Sequence, residues 1–169
     1  GIHADKIINI NGGNINITKS YEGIEASNIL IRDGSIHIVS SDDGINVANS
    51  KLGTKNESLL LKIEGGYIYV DAAGDGLDSN GDIEMSDGTV IVNGPVNGAN
   101  GAIDYDLTFK LTGGTLICAG SSDMMQSVSD TSTQNTVAVL FDEYKEAGTI
   151  VNITDSYGKS ILSFKPSKK

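Results

Sequence analysis

One short phrase recurs five times along the chain, and it restricts the fold more than any other feature. The phrase runs Gly-aliphatic-polar-small, an alternating strand, a Gly-Gly or Asp-Gly turn, and a second alternating strand. Its copies begin at Gly1-Ile2-His3-Ala4, Gly23-Ile24-Glu25-Ala26, Gly44-Ile45-Asn46-Val47, Gly76-Leu77-Asp78-Ser79 and, less regularly, Ala102-Ile103-Asp104-Tyr105. The turns fall at Gly12-Gly13, Asp33-Gly34, Gly65-Gly66, Asp87-Gly88 and Gly113-Gly114, so the steps between their second glycines are 21, 32, 22 and 26 residues. The two long steps carry insertions, Ser50–Ser58 and Asn93–Asn100. Repeats this short cannot bury an apolar face alone and must stack on one another.

Period-two alternation fixes which side chains point inward. Ile8/Ile10, Ile29/Ile31, Leu61/Ile63, Ile83/Met85 and Phe109/Leu111 precede the turns; Ile15/Ile17, Ile36/Ile38, Ile68/Val70, Val90/Val92 and Leu116/Cys118 follow them. A third column holds Ile2, Ile24, Ile45, Leu77 and Ile103. Three short strands per repeat, rich in β-branched residues, predict an all-β fold: a right-handed, single-stranded parallel β-helix with equivalent residues about 4.8 Å apart. The pattern holds for residues 1–120. Over residues 121–169 it gives way to a polar loop, Ser121–Asn135, and then to strand-like stretches at Val137–Phe141, Gly148–Thr154 and Ile161–Lys165. These predict a degenerate strand cap that continues or covers the end of the helix in the same single domain.

The formal net charge of −10 argues against nucleic acid as a partner, and no apolar run is long enough to span a membrane. Cys118 is the only cysteine, so no intramolecular disulfide can form, and its column predicts a packed, inert thiol. The first repeat starts at Gly1 without a polar capping segment, which predicts a piece of a longer protein; the expected state is monomeric or part of that larger chain.

The acids are not scattered. Glu22, Asp43 and Asp75 stand just before the repeats, and His3, Glu25, Asn46, Asp78 and Asp104 stand at one equivalent position inside them, with Asp42 close by. Stacking would pile these carboxylates up one edge, where like charges oppose folding unless protonated or neutralised. Carboxylates mixed with Asn and backbone carbonyls form a hard oxygen site suited to Ca²⁺. The expected calcium ligands are Glu22, Glu25, Asp42, Asp43, Asn46, Asp75, Asp78 and Asp104. Asp78-Ser79-Asn80-Gly81-Asp82 is not an EF-hand loop, because its glycine is displaced, and no nine-residue β-roll period is present.

The phrases GIHADKIININGGNINI, EGIEASNILIRDGSIHI, DDGIN and GDGLDSNGDIEMSDGTVIV, followed by SSDMMQSVSDTSTQNTVAVLF, resemble the secreted bacterial carbohydrate-binding domain-containing proteins. The resemblance implies a calcium-binding parallel β-helix shaped like pectate lyases, acting outside the cell or at its surface on cellulose or acidic pectin-like polysaccharide. Carried over, the family's acidic motif falls on Glu22, Asp43, Asp75 and Asp78. The family's N-terminal coils are missing, and Asn97-Gly98-Ala99-Asn100 replaces the acidic pair expected at the fifth copy.

Sugar rings need an outward face with polar groups and a few aromatics. The strand after each turn presents Asn16, His37, Tyr69, Ile91 and Ile117 outward, with Ser35, Tyr67, Thr89 and Thr115 in the next outward column. Tyr67, Tyr69 and His37 are the candidate carbohydrate contacts. With no Trp, a Trp-lined platform is excluded. With what the resemblance implies, these residues lead to the expectation of a noncatalytic, calcium-dependent carbohydrate-binding module. The alternatives are a calcium-assisted polysaccharide lyase, for which Lys51 or Lys55 would be the base over the acidic corner, or a structural stalk. His3 and His37 lie in different columns and neither is expected to have a hydrogen-bonding partner.

Overall fold

The computed structural model describes residues 1–49 and 58–169. Its first 119 residues wind into a parallel β-solenoid of five coils, and no helix occurs among the described residues. Coil 1 holds β1 (Ile2–His3) and β2 (Ile7–Ser20); coil 2 holds β3 (Ile24–Ala26) and β4 (Asn28–Ser40). Coil 3 holds β5 (Ile45–Val47), β6 (Leu60–Ile63) and β7 (Tyr67–Ala72). Coil 4 holds β8 (Leu77–Ser79), β9 (Asp82–Met85) and β10 (Thr89–Asn93), and coil 5 holds β11 (Ile103–Tyr105), β12 (Phe109–Leu111) and β13 (Thr115–Ala119).

One sheet stacks the coil starts in the order β1-β3-β5-β8-β11. The other two faces form an eight-stranded sheet, β12-β9-β6-β4-β7-β10-β13 with β2 on β4, because β2 and β4 each run through the internal turn. All these pairings are parallel and, apart from shifts in the β2–β4 pair around Asn11–Asn14 and before Ser20, keep equivalent residues in register, as in Ile24↔Ile45, Ile36↔Ile68 and Val70↔Val92. Each inward residue therefore packs between two copies of itself. From coil 2 to coil 4 the inward columns are fully buried, and each such side chain contributes roughly 1.5–3 kcal/mol relative to exposure.

The turns explain the invariant glycine of the repeated phrase. Gly34, Gly66, Gly88 and Gly114 all have positive φ, between 82° and 120°. A Cβ on Gly66 would also lie 2.8 Å from the Gly34 carbonyl oxygen, so backbone rests directly on backbone here.

The ends differ from the expectation. The polar segment after Ser121, rather than the later strands, covers the first two faces of coil 5. Ser129 N–H donates to the Phe109 carbonyl (2.8 Å) and Thr133 N–H to that of Leu111 (3.0 Å). In return Phe109 N–H donates to Ser129 Oγ (2.8 Å) and Leu111 N–H to Ser132 Oγ (3.0 Å). The edge strand β12 is thus closed by Ser and Thr groups that satisfy its backbone. Val137–Phe141 forms no strand and is exposed, while β14 (Val151–Thr154) and β15 (Ser160–Phe164) make a separate antiparallel pair with mostly exposed residues.

Among the described residues no strand pairs with the far side of β13. Cys118 keeps its place in the column opposite Val92 yet is exposed, which corrects the expected packed thiol. The chain end returns to the third face, where Ser167 N–H donates to Asn93 Oδ1 (2.8 Å) and Lys168 Nζ approaches Asp71 Oδ1 (3.0 Å). No helix of the described residues is long and apolar enough to cross a membrane.

Candidate functional site

Two strips of the solenoid carry chemistry: the acidic corner where each coil begins, and the outward side of the third face.

At the corner the register puts His3, Glu25, Asn46, Asp78 and Asp104 into one outward column, one residue per coil. Glu22, Asp43 and Asp75 stack beside it, since Gly23 N–H donates to the Asp43 carbonyl and Gly44 N–H to that of Asp75. The carboxylates also staple coils together. Asp43 Oδ1 accepts from Asp75 N–H (2.7 Å), and Asp75 Oδ1 from Gly101 N–H (2.5 Å). Asp42 and Asp43 converge on Gly74, where an added Cβ would lie 2.6 and 2.5 Å from their Oδ1 atoms, so only glycine fits.

Burial makes this pile costly. It pushes Glu22 up to about 7, with help from Asp43, Asp42 and Glu25, and Asp78 up to about 7, with help from Asp43, Asp75 and Asp104. Burial also raises Asp43 to about 6, against the opposing hydrogen bond from Asp75, and raises Asp75. Two members have other partners: Gln126 Nε2 donates to Asp104 Oδ1 (2.6 Å), and His3 Nδ1 lies 2.9 Å from Glu25 Oε2. The His3 contact corrects the expectation of an unpartnered histidine. Its hydrogen bond to Glu25 raises the imidazole pKa.

Among the described residues no three His, Cys, Asp or Glu side chains come close enough together to hold a metal ion. The acids form a row along the axis rather than a cage. Two buried oxygens at the corner, Glu22 Oε2 and Asn46 Oδ1, nevertheless lack a hydrogen-bond donor. Such orphaned acceptors fit a proton or a hard cation whose shell is completed by carbonyls and water. Lys51 and Lys55 lie outside the described residues. Arg32 belongs to another face, where its guanidinium meets Asn11 Oδ1 (2.7 Å) and Glu64 (3.4 Å).

The third face is different in kind. The two outward columns nearest the turn read Asn14, Ser35, Tyr67, Thr89, Thr115 and Asn16, His37, Tyr69, Ile91, Ile117, with no charged side chain in either, and the next column holds Val39, Asp71, Asn93 and Ala119, with Lys168 on Asp71. His37 and Tyr69 stack with parallel rings, centroids 4.9 Å apart and planes 6° apart. Their separation is close to the strand spacing, so the ring stack is a direct product of the parallel register. Tyr67 is 46% exposed in the neighbouring column. Beside His37, over coil 1, lies an open depression of about 580 Å³ lined by Asn14, Asn16 and His37. Sequence alternation places His37 and Tyr69 outward on adjacent coils; the depression depends on coil 1 having an Asn where coils 2 and 3 have rings.

A face of amides, hydroxyls and aromatic rings on a rigid sheet can hydrogen-bond and stack on a polyhydroxylated ligand. No curated protein and no solved structure matches the chain. A family model described as carbohydrate-binding domain-containing protein matches residues 1–158, spanning all five coils and the polar segment that closes them. On that match, the chain belongs to the carbohydrate-binding domain-containing protein family.

Proposed function

We propose that this protein is a noncatalytic polysaccharide-binding module that holds its glycan on the third face and takes up Ca²⁺ at the acidic corner. Family membership supports the carbohydrate-binding role. The observation that carries the placement is the uncharged strip with the stacked His37–Tyr69 pair, the part of the coil that offers ring faces and free polar groups together. Calcium rests on the donor-less oxygens of Glu22 and Asn46 and on the raised carboxylates around them. Neutralising that row would tighten the scaffold behind the binding face. A polysaccharide ligand places the module outside the cell or on its surface.

A lyase would need a free base beside the acids. Among the described residues the nearest candidate, His3, is held by Glu25, and Arg32 is engaged on another face. The binding reading therefore takes precedence.

The test is retention on insoluble cellulose and on pectate, with Ca²⁺ and with EDTA, while absorbance of unsaturated uronides is followed. Retention strengthened by Ca²⁺ without product is expected. Product formation would make the protein a lyase, and absence of retention in every condition would leave a structural stalk.

A further inference from the structure

We infer that the depression over coil 1 is a subsite for one neutral hexopyranose ring, which lies on the free face of His37 and hydrogen-bonds to the Asn14 and Asn16 amides. This rests on the carbohydrate-binding reading above and names the ligand class for it.

The argument begins with which ring faces are available. In the column Asn16, His37, Tyr69, Ile91, Ile117 each inner member has one neighbour on either side. Tyr69 has the His37 ring on one side and the β-branched Ile91 on the other. His37 has Tyr69 on one side and only the short Asn16 on the other. The open ring face in the column is therefore that of His37 turned toward coil 1, and it forms a wall of the depression. A pyranose has an apolar C–H face that packs on an aromatic plane and a rim of hydroxyls that each donate and accept.

The floor matches that rim. Asn14 and Asn16 alternate outward from one strand, both exposed, and each amide brings a carbonyl acceptor and an NH₂ donor. Two residues apart on one face, they stand roughly 7 Å from each other, a span over which hydroxyls on one sugar ring or two adjoining rings can be met. The volume, about 580 Å³, falls within the roughly 300–1,000 Å³ of small-ligand sites.

Charge decides the class. A uronate carboxylate calls for Arg, Lys or a bound cation beside it. The two columns around the depression hold none; the cations of this face stand farther along the strands, Lys19 near the end of β2 and Lys168 against Asp71, and the chain carries a net charge of −10. The acidic corner belongs to a different strip. Neutral hexoses meet no such penalty.

The experiment is isothermal titration of the full chain with a neutral β-glucan oligosaccharide and with an oligogalacturonate, repeated for His37→Ala, His37→Phe, Asn16→Ala and, as a control away from this face, the exposed Tyr157→Ala. All three positions are exposed, and melting curves verify that each of the four variants folds. The wild type is expected to bind the neutral glycan. His37→Ala should weaken it at least tenfold, Asn16→Ala about fivefold, Tyr157→Ala less than twofold, and His37→Phe should retain most of it. Neutral-glycan binding that survives His37→Ala undiminished would overturn the subsite while leaving the carbohydrate-binding reading intact. Binding of the oligogalacturonate alone would overturn the ligand class. Binding of neither by the wild type would remove the carbohydrate-binding reading itself, and the subsite with it.

Discussion

The inward columns and the acidic corner obey the same stacking rule and respond to it in opposite ways. In the column of Ile15, Ile36, Ile68, Val90 and Leu116 each residue lies against a near copy of itself, and burial makes the repetition favourable. At the corner the register repeats carboxylates with the same fidelity, and burial drives their pKa values upward. A parallel solenoid amplifies whatever occupies a position. Apolar residues gain a core from this, and acids gain a need for protons or cations.

The comparison can be broken most severely from the apolar side. Ile36→Ala removes a fully buried side chain from between two neighbours and should cost about 2–5 kcal/mol, whereas Leu140→Ala, on an exposed residue, should stay within about 0.5 kcal/mol. Urea denaturation of both variants measures the contrast; equal losses would mean that the stack is not the core. Next, Gly66→Ala puts a Cβ against the Gly34 carbonyl at positive φ and should cost on the order of 1–3 kcal/mol, read in the same way.

The corner can be sharpened by separating its charge from its hydrogen bond. Asp43→Asn keeps an acceptor for Asp75 N–H while deleting the charge, and Asp43→Ala deletes both. In EDTA at pH 8 the Asn variant should be at least as stable as the parent. The Ala variant should fall about 1 kcal/mol below Asn.

The smallest effect is that of pH on the metal-free protein, since these groups are partly screened by solvent. Glu22, Asp43 and Asp78 have folded-state pKa values above their unfolded ones, so the folded state binds protons more tightly. Stability should rise as pH falls from about 7 toward 4, the reverse of the usual acid loss, and saturating Ca²⁺ should flatten the slope. A melting temperature that declines across that window would contradict the raised carboxylates.

Much of this was legible in the chain because the repeat states lateral equivalence outright. Ile24 over Ile45, Asp78 over Asp104 and His37 over Tyr69 all follow from alignment on the turns. The His3–Glu25 contact is missed, although the two sit at one equivalent position on adjacent coils, because columns aligned for like residues do not show complementary ones. What the alignment cannot state is the fate of the ends. Cys118 has the right inward parity and, among the described residues, no strand paired above it. The closure of β12 by Ser129 and Ser132 uses hydroxyl-to-backbone bonds that leave no periodic trace. Val137–Phe141 alternates like a strand yet pairs with nothing, because alternation specifies a face and not a partner.

The glycine turns also shape how such a chain can change over generations. A residue gained or lost inside a strand swings every later side chain of that strand to the wrong side. A whole circuit, turn included, slots between its neighbours and leaves each of them as it was. Added length is accommodated between strands, as in the insertions Ser50–Ser58 and Asn93–Asn100, or as a whole circuit, and by the second route the binding strip can lengthen without any single residue having to be reinvented.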